Sequence, residues 1–314
     1  MGTVKAFGKV RSIVRLVYLL TAPLVVLSPA AAQNEPVVFN LFETQVDESG
    51  IKVFNGTQTI GGNWSSILLA EMPAASGLNS CTATLVGQNV LLTAAHCVDQ
   101  GTAVARDVAL RIGASTLSFS CKMSDEYASG FPFAGALRAY EDYALCWIKP
   151  GAGSVPARFL SLRRETIDVA PLTAGSPVLI TGYGCTSMTV DLDSATIETP
   201  PFVPGLFSAG DETIDRVDSP RVSTFSTRAI EPALCKGDSG GPLITGASVA
   251  DPDGNRRVRG INSQVIAEQS GLRSQFAALS SEAFRRFVAC WHRTHPALLL
   301  EVSGQLGSHA CSAQ

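Results

Sequence analysis

Three short stretches carry side chains able to make and break an acyl bond. Gly237-Asp238-Ser239-Gly240-Gly241 sets a hydroxyl among glycines, Thr93-Ala94-Ala95-His96-Cys97 supplies an imidazole, and Glu141-Asp142-Tyr143-Ala144-Leu145 supplies a carboxylate. A serine hydroxyl is a weak nucleophile at neutral pH and needs a base within hydrogen-bond reach. An imidazole can take its proton during attack on a carbonyl and return it to the leaving amine, while a carboxylate fixes the tautomer and stabilises the imidazolium. His96 and Asp142 lie 46 residues apart and Asp142 and Ser239 a further 97, so only a tertiary fold can assemble them. Gly237 lets the backbone turn so that its N–H and that of Ser239 converge on one spot, where a developing oxyanion would sit. Proline at 237 is predicted to abolish turnover without touching the three acid–base groups.

The elements that would position these groups read as strands. Short β-like runs at 66–69, 82–86, 90–92, 108–112, 144–148, 178–181, 222–225, 242–244 and 258–265 are separated by turn residues such as Gly61-Gly62-Asn63, Pro150-Gly151 and Asp253-Gly254. This is an all-β pattern, with closure into barrels hiding the strand edges. One segment differs: over 281–291, Phe284, Phe287, Val288 and Trp291 recur at helical spacing with Arg285 and Arg286 on the other face. Residues 151–156 read as the link between two barrels, and 191–219, rich in Asp, Ser, Thr, Pro and Gly, as a surface loop.

Length and charge narrow the function classes. Of 314 residues, the first 32 read as an export signal: Lys5, Lys9, Arg11 and Arg15, an apolar stretch over 16–27, then Ala30-Ala31-Ala32. Its removal takes four basic and no acidic residues, moving the formal charge from −3 to −7. A mildly acidic exported protein is a poor partner for nucleic acid, and no membrane association is expected once the signal is gone. Eight cysteines, all beyond the signal, suit an oxidising compartment, so a secreted or periplasmic location is expected. No spacing makes a zinc pattern, and no metal or cofactor is expected; His292 and His295 read as solvated residues near a helix end. Asn55 and Asn63 match the glycosylation pattern.

The serine, histidine and aspartate segments, in that chain order of His, Asp and Ser, resemble those of trypsin or chymotrypsin type serine peptidases, over roughly residues 53–291. The resemblance implies two six-stranded antiparallel Greek-key β-barrels, about 53–150 and 157–280, with a C-terminal helix and tail over 281–314. It also implies a serine endopeptidase acting on protein or peptide substrates through an acyl-enzyme, with His96, Asp142 and Ser239 as triad and Gly237 and Ser239 as oxyanion donors. Cys81 with Cys97 follows from the resemblance. The further pairings expected are Cys185 with Cys235, Cys121 with Cys146, and Cys290 with Cys311.

Lys52-Val53-Phe54-Asn55-Gly56 resembles the activation junction of that family. Cleavage after Lys52 by an activating protease would free Val53 to place its ammonium beside Asp238, making 33–52 a pro-segment. Without that partner the oxyanion loop is expected to be misplaced. Ala233 corresponds to the pocket floor, with Ser263, Val265 and Ser274 lining it. Ala233 in place of an acid argues for small or medium apolar substrate residues; Lys236 and Arg273 near the rim leave an acidic preference open. Two rival readings remain. A catalytically silent binding protein could use the same scaffold. An α/β-hydrolase would use Gly-x-Ser-x-Gly with His292, His295 or His309, but it needs alternating strands and helices that the sequence lacks.

Overall fold

A computed structural model describes residues 37–40, 55–58, 64–74, 77–99, 104–129, 141–149, 151, 154–185, 187–199, 207–227, 231–298 and 300–311. The expected signal, Lys52, Val53 and Asn63 lie outside these residues. In chain order the strands are β1 (Val37–Asn40), β2 (Thr57–Gln58), β3 (Ile67–Ala74), β4 (Gly77–Gly87), β5 (Val90–Thr93), β6 (Val108–Ile112), β7 (Ser115–Met123) and β8 (Ala144–Ile148). They continue as β9 (Thr166–Asp168), β10 (Pro177–Gly182), β11 (Thr189–Asp191), β12 (Thr196–Glu198), β13 (Ser208–Asp218), β14 (Arg221–Ser226), β15 (Pro242–Thr245), β16 (Arg257–Glu268), β17 (Gly271–Ala278) and β18 (Val302–Ser303).

The first barrel closes in the order β1-β3-β4-β5-β8-β7-β6. Six of its strands, β3 to β8, follow residue 53. The seventh, β1, comes from the stretch read as pro-segment. Alternation explains the simplest members: in β6, Val108, Leu110 and Ile112 point into the core while Arg111 is exposed. The second barrel runs β15-β10-β13-β14-β17-β16 and closes by pairing of β15 with β16; β9 and β18 extend it beside β16, and β2 pairs with β13.

The stretch 191–219 is not a surface loop. It contributes β12 and all of β13, which runs between β10 and β14 in the second barrel. Its polarity misleads because only Ser208, Ala209, Gly210 and Ile214 of β13 are buried, while acidic residues and Arg216 cover the outer side.

The C-terminal helix Glu282–Thr294 is capped by Ser281, whose Oγ accepts from the Phe284 N–H at 3.1 Å. It buries Phe284, Phe287, Val288 and Trp291 against the first barrel. Tyr143 meets Phe284 edge-on at 5.0 Å, so the helix braces the residue next to Asp142. Among the described residues no helix is long and apolar enough to cross a membrane.

Two devices tie the barrels together. Arg256 and Glu165, both buried, share hydrogen bonds of 2.6 and 3.2 Å; Ser66 Oγ donates to the same carboxylate at 2.6 Å, and Arg256 lies 4.1 Å over Trp64. The tail after the helix supplies the other: Glu301 N–H donates to Val86 O at 3.0 Å and its carbonyl accepts from Ile167 N–H at 2.8 Å, while Leu300 bridges to Gly87. All eight cysteines pair as expected: Cys81–Cys97, Cys121–Cys146, Cys185–Cys235 and Cys290–Cys311.

Candidate active site

The first barrel supplies the imidazole and the carboxylate. His96 sits on the one-turn helix Ala95–Val98 directly after β5, and Asp142 lies just ahead of β8, which pairs with β5. His96 Nδ1 and Asp142 Oδ2 are 2.6 Å apart, and the His96 backbone N–H donates to Asp142 Oδ1 at 2.9 Å. The carboxylate thus grips both the ring and the backbone of the same residue, which fixes the ring and leaves Nε2 as the nitrogen free for proton transfer.

The second barrel completes the carboxylate's surroundings. Ser263 on β16 donates its hydroxyl to Asp142 Oδ2 at 2.6 Å. Asp142 is almost wholly buried; burial favours its neutral form, but the His96 charge and hydrogen bond, with help from Ser263, hold its pKa below the usual carboxylate range. For His96, burial pulls the pKa down, yet the Asp142 charge and hydrogen bond outweigh it and raise it above 6.5. Its ring remains about a third exposed, at 37 %.

Ser239 lies across the seam, against the helix that carries His96. Thr82 N–H donates to Ser239 O at 2.6 Å, and that oxygen lies 3.6 Å from Cys97 Sγ. A side chain at Gly240 would run into the backbone of Thr82 and Ala94, so only glycine permits this approach. The serine loop is aimed by its carbonyls. Lys236 O accepts from Cys185 N–H at 2.9 Å; Asp238 O accepts from Gly241 N–H at 2.9 Å and from Asn262 Nδ2 at 3.0 Å. Because a trans peptide points its N–H opposite its C=O, the N–H groups of Gly237 and Ser239 face away from these anchors. Neither donates to another group among the described residues. Gly237 adopts φ of +106°, as expected of the turn.

Asp238 is fully buried beneath this loop. Its Oδ1 accepts from Gly184 N–H at 2.7 Å and its Oδ2 from Cys235 N–H at 2.8 Å. A side chain at Gly182 or Gly184 would collide with it. No cation faces it among the described residues, and burial pushes its pKa up to about 7 despite the two amide donors. In this structure the two backbone amides hold the carboxyl beneath the loop.

A cleft beside Ser239 is lined by Leu234, Cys235, Lys236, Ser263, Gln264 and Val265 from the second barrel, and by Ile197 and Thr199 from the β11–β12 hairpin. Of the residues assigned to a pocket from sequence, Ser263 and Val265 line it. Ala233 and Ser274 lie behind the wall, both fully buried, with Ser274 Oγ accepting from Leu234 N–H at 2.9 Å. Arg273 is turned elsewhere, bound to Glu268 and Asp215 at 2.6 Å each and stacked over Phe225. Lys236 is the exposed cation at the rim. Sequence reasoning missed Ile197 and Thr199 because they belong to a stretch read as loop.

Cys81, His96 and Cys97 bring potential ligand atoms within 4.8 Å of one another, but the two sulfurs are joined as a disulfide and offer no thiolate. His295 stacks on Trp291 and binds Thr294 Oγ1 at 2.8 Å, while His309 lies 3.2 Å from Glu282.

The family model described as trypsin matches residues 55–287 of this chain. Among solved structures, neuropsin, titled as a serine protease expressed in the limbic system of mouse brain, is similar at 17 % identity; the match covers 73 % of this chain and 92 % of that chain, with a TM-score of 0.47. No curated protein matches.

Proposed function

The chain belongs to the trypsin family, and from that premise we propose that it is an exported serine endopeptidase working through an acyl-enzyme on Ser239. The observation that carries this reading is the double grip of Asp142 on His96, backed across the seam by Ser263. Such a grip is needed where an imidazole must gain and lose a proton without turning. In the proposed cycle His96 Nε2 takes the Ser239 proton as Oγ attacks the substrate carbonyl. The oxyanion forms against the free N–H groups of Gly237 and Ser239. His96 then protonates the leaving amine, and water repeats the sequence to release the acid.

Cleavage after Lys52 is the proposed switch. Val53 lies five residues before Gln58, a stretch able to span roughly 17 Å. Gln58 pairs with Ser208, which pairs with Gly182, whose backbone abuts Asp238. Two strand spacings amount to about 10 Å, so a freed Val53 ammonium can reach the buried carboxyl. This ion pair would ionise Asp238 and set the oxyanion loop above it.

Cleavage after small or medium apolar residues is proposed for the cleft. Val265 and Leu234 narrow it, Ala233 offers no charge behind it, and Arg273 is occupied. Protein or peptide substrates, an activating protease and a secreted or periplasmic setting belong to the same reading. The four disulfides favour an oxidising compartment. The test is a fluorophosphonate probe applied before and after cleavage at Lys52. Labelling of processed wild type but not of Ser239→Ala supports the peptidase; absence of labelling in every processed form favours the silent binding protein.

A further inference from the structure

The first barrel is closed by a strand that precedes the proposed cut. β1 lies between β3 and β6, antiparallel to one and parallel to the other, with Phe39 beside Ala70 on one side and Leu110 on the other. Val37 and Phe39 have no exposed surface and pack in the same core as Leu68, Ala70, Val108 and Leu110. Val37 N–H donates to Asp107 O at 3.1 Å, and Asn40 Nδ2 donates to Glu71 Oε2 at 2.8 Å. Taken away, β1 would leave two unpaired sheet edges facing each other across an apolar slot, an arrangement prone to capture a strand.

We infer that the segment ending at Lys52 is not shed on activation but stays as a second, non-covalent chain whose β1 fills this slot. No cysteine precedes Cys81, and all eight cysteines pair within residues 81–311, so no disulfide can tether the segment. It is held by strand pairing on both sides and by two buried side chains. The inference rests on the activation reading only for the position of the cut; the seat of β1 is independent of it.

The test uses the full chain, with residues 48–52 replaced by the recognition sequence of a site-specific protease. After cleavage, size exclusion and native mass spectrometry at neutral pH are expected to show the segment and the larger chain as one complex that separates in urea. Phe39→Ala is expected to release the segment about a hundredfold faster or more, as loss of a buried phenyl group implies. A larger chain that elutes alone with an unchanged unfolding midpoint overturns the inference. Should Phe39→Ala fail to fold, hydrogen exchange in the cleaved wild type decides: amides of 37–40 protected as in the uncut chain support it, and amides exchanging freely refute it. Retention of the segment with no gain in fluorophosphonate labelling would count against activation at Lys52 and leave this inference standing.

Discussion

Asp238→Asn in the uncleaved chain isolates the energetics of the buried carboxyl. In the unfolded chain this group ionises near 3.8; in the fold burial pushes it up to about 7. Between those values the unfolded state loses a proton that the folded state keeps, so stability falls as pH rises through the window. The difference of about three pH units, at about 1.4 kcal/mol each, corresponds to roughly 4 kcal/mol lost between pH 4 and pH 8. Asparagine removes the titration. Its amide can accept from Gly184 N–H but must set NH₂ against Cys235 N–H, which costs about 1–3 kcal/mol at every pH. Urea unfolding at pH 4, 6 and 8, in a Ser239→Ala background to prevent self-cleavage, gives both quantities. The Asp238→Asn variant is expected to be the less stable of the two at pH 4 and to lose the disadvantage by pH 8. Parallel pH profiles for the two proteins would refute the claim that Asp238 lacks a compensating cation before cleavage. In the cut chain the Val53 ammonium should reverse the sign, because a carboxyl whose folded pKa is depressed contributes stability above its unfolded pKa.

Arg256→Ala strips the buried Glu165 carboxylate of its two guanidinium hydrogen bonds and leaves it with Ser66 and with Arg163 at 3.4 Å, and a loss of about 2–3 kcal/mol is expected in denaturant unfolding. Ser263→Ala removes a charge-assisted bond to Asp142; a fall of about tenfold in kcat with little change in KM is expected in steady-state assays of the processed enzyme. Val265→Gly widens the cleft, and kcat/KM for peptides with large aromatic residues at the cut should rise by about 10- to 100-fold in a library profile.

Much of the fold is legible in the sequence. The expected runs fall on β3, β4, β5, β6, β8, β10, β14, β15 and β16, because each carries consecutive or alternating apolar residues between turn signals. The strands that escaped share a physical reason. In β7 polar Ser and Thr residues interrupt Leu117 and Phe119, and in β17 Arg273, Ser274 and Gln275 are buried although polar, satisfied by Glu268, Leu234 and Gln264 from neighbouring strands or turns. Those partners lie close in space and often far in sequence. β1 escaped because it stands alone, four residues whose meaning depends on the two edges it joins. The same logic holds at the site: His96 and Ser239 stand in local motifs and Asp142 gains meaning only from its order between them, whereas Ile197 and Thr199 reach the cleft only through the placement of a hairpin.

The tail beyond the terminal helix crosses from Val86 and Gly87 in one lobe to Ile167 in the other. Because the His96 imidazole and the Ser239 hydroxyl come from opposite lobes, any slippage between the lobes would lengthen the path of the proton in the proposed cycle. On the proposed reading the tail would act as a latch on catalytic alignment, and the Cys290–Cys311 link holds its far end to the terminal helix. Hydrolytic competence, on the proposed peptidase reading, would depend on the segment after the terminal helix as much as on the serine loop.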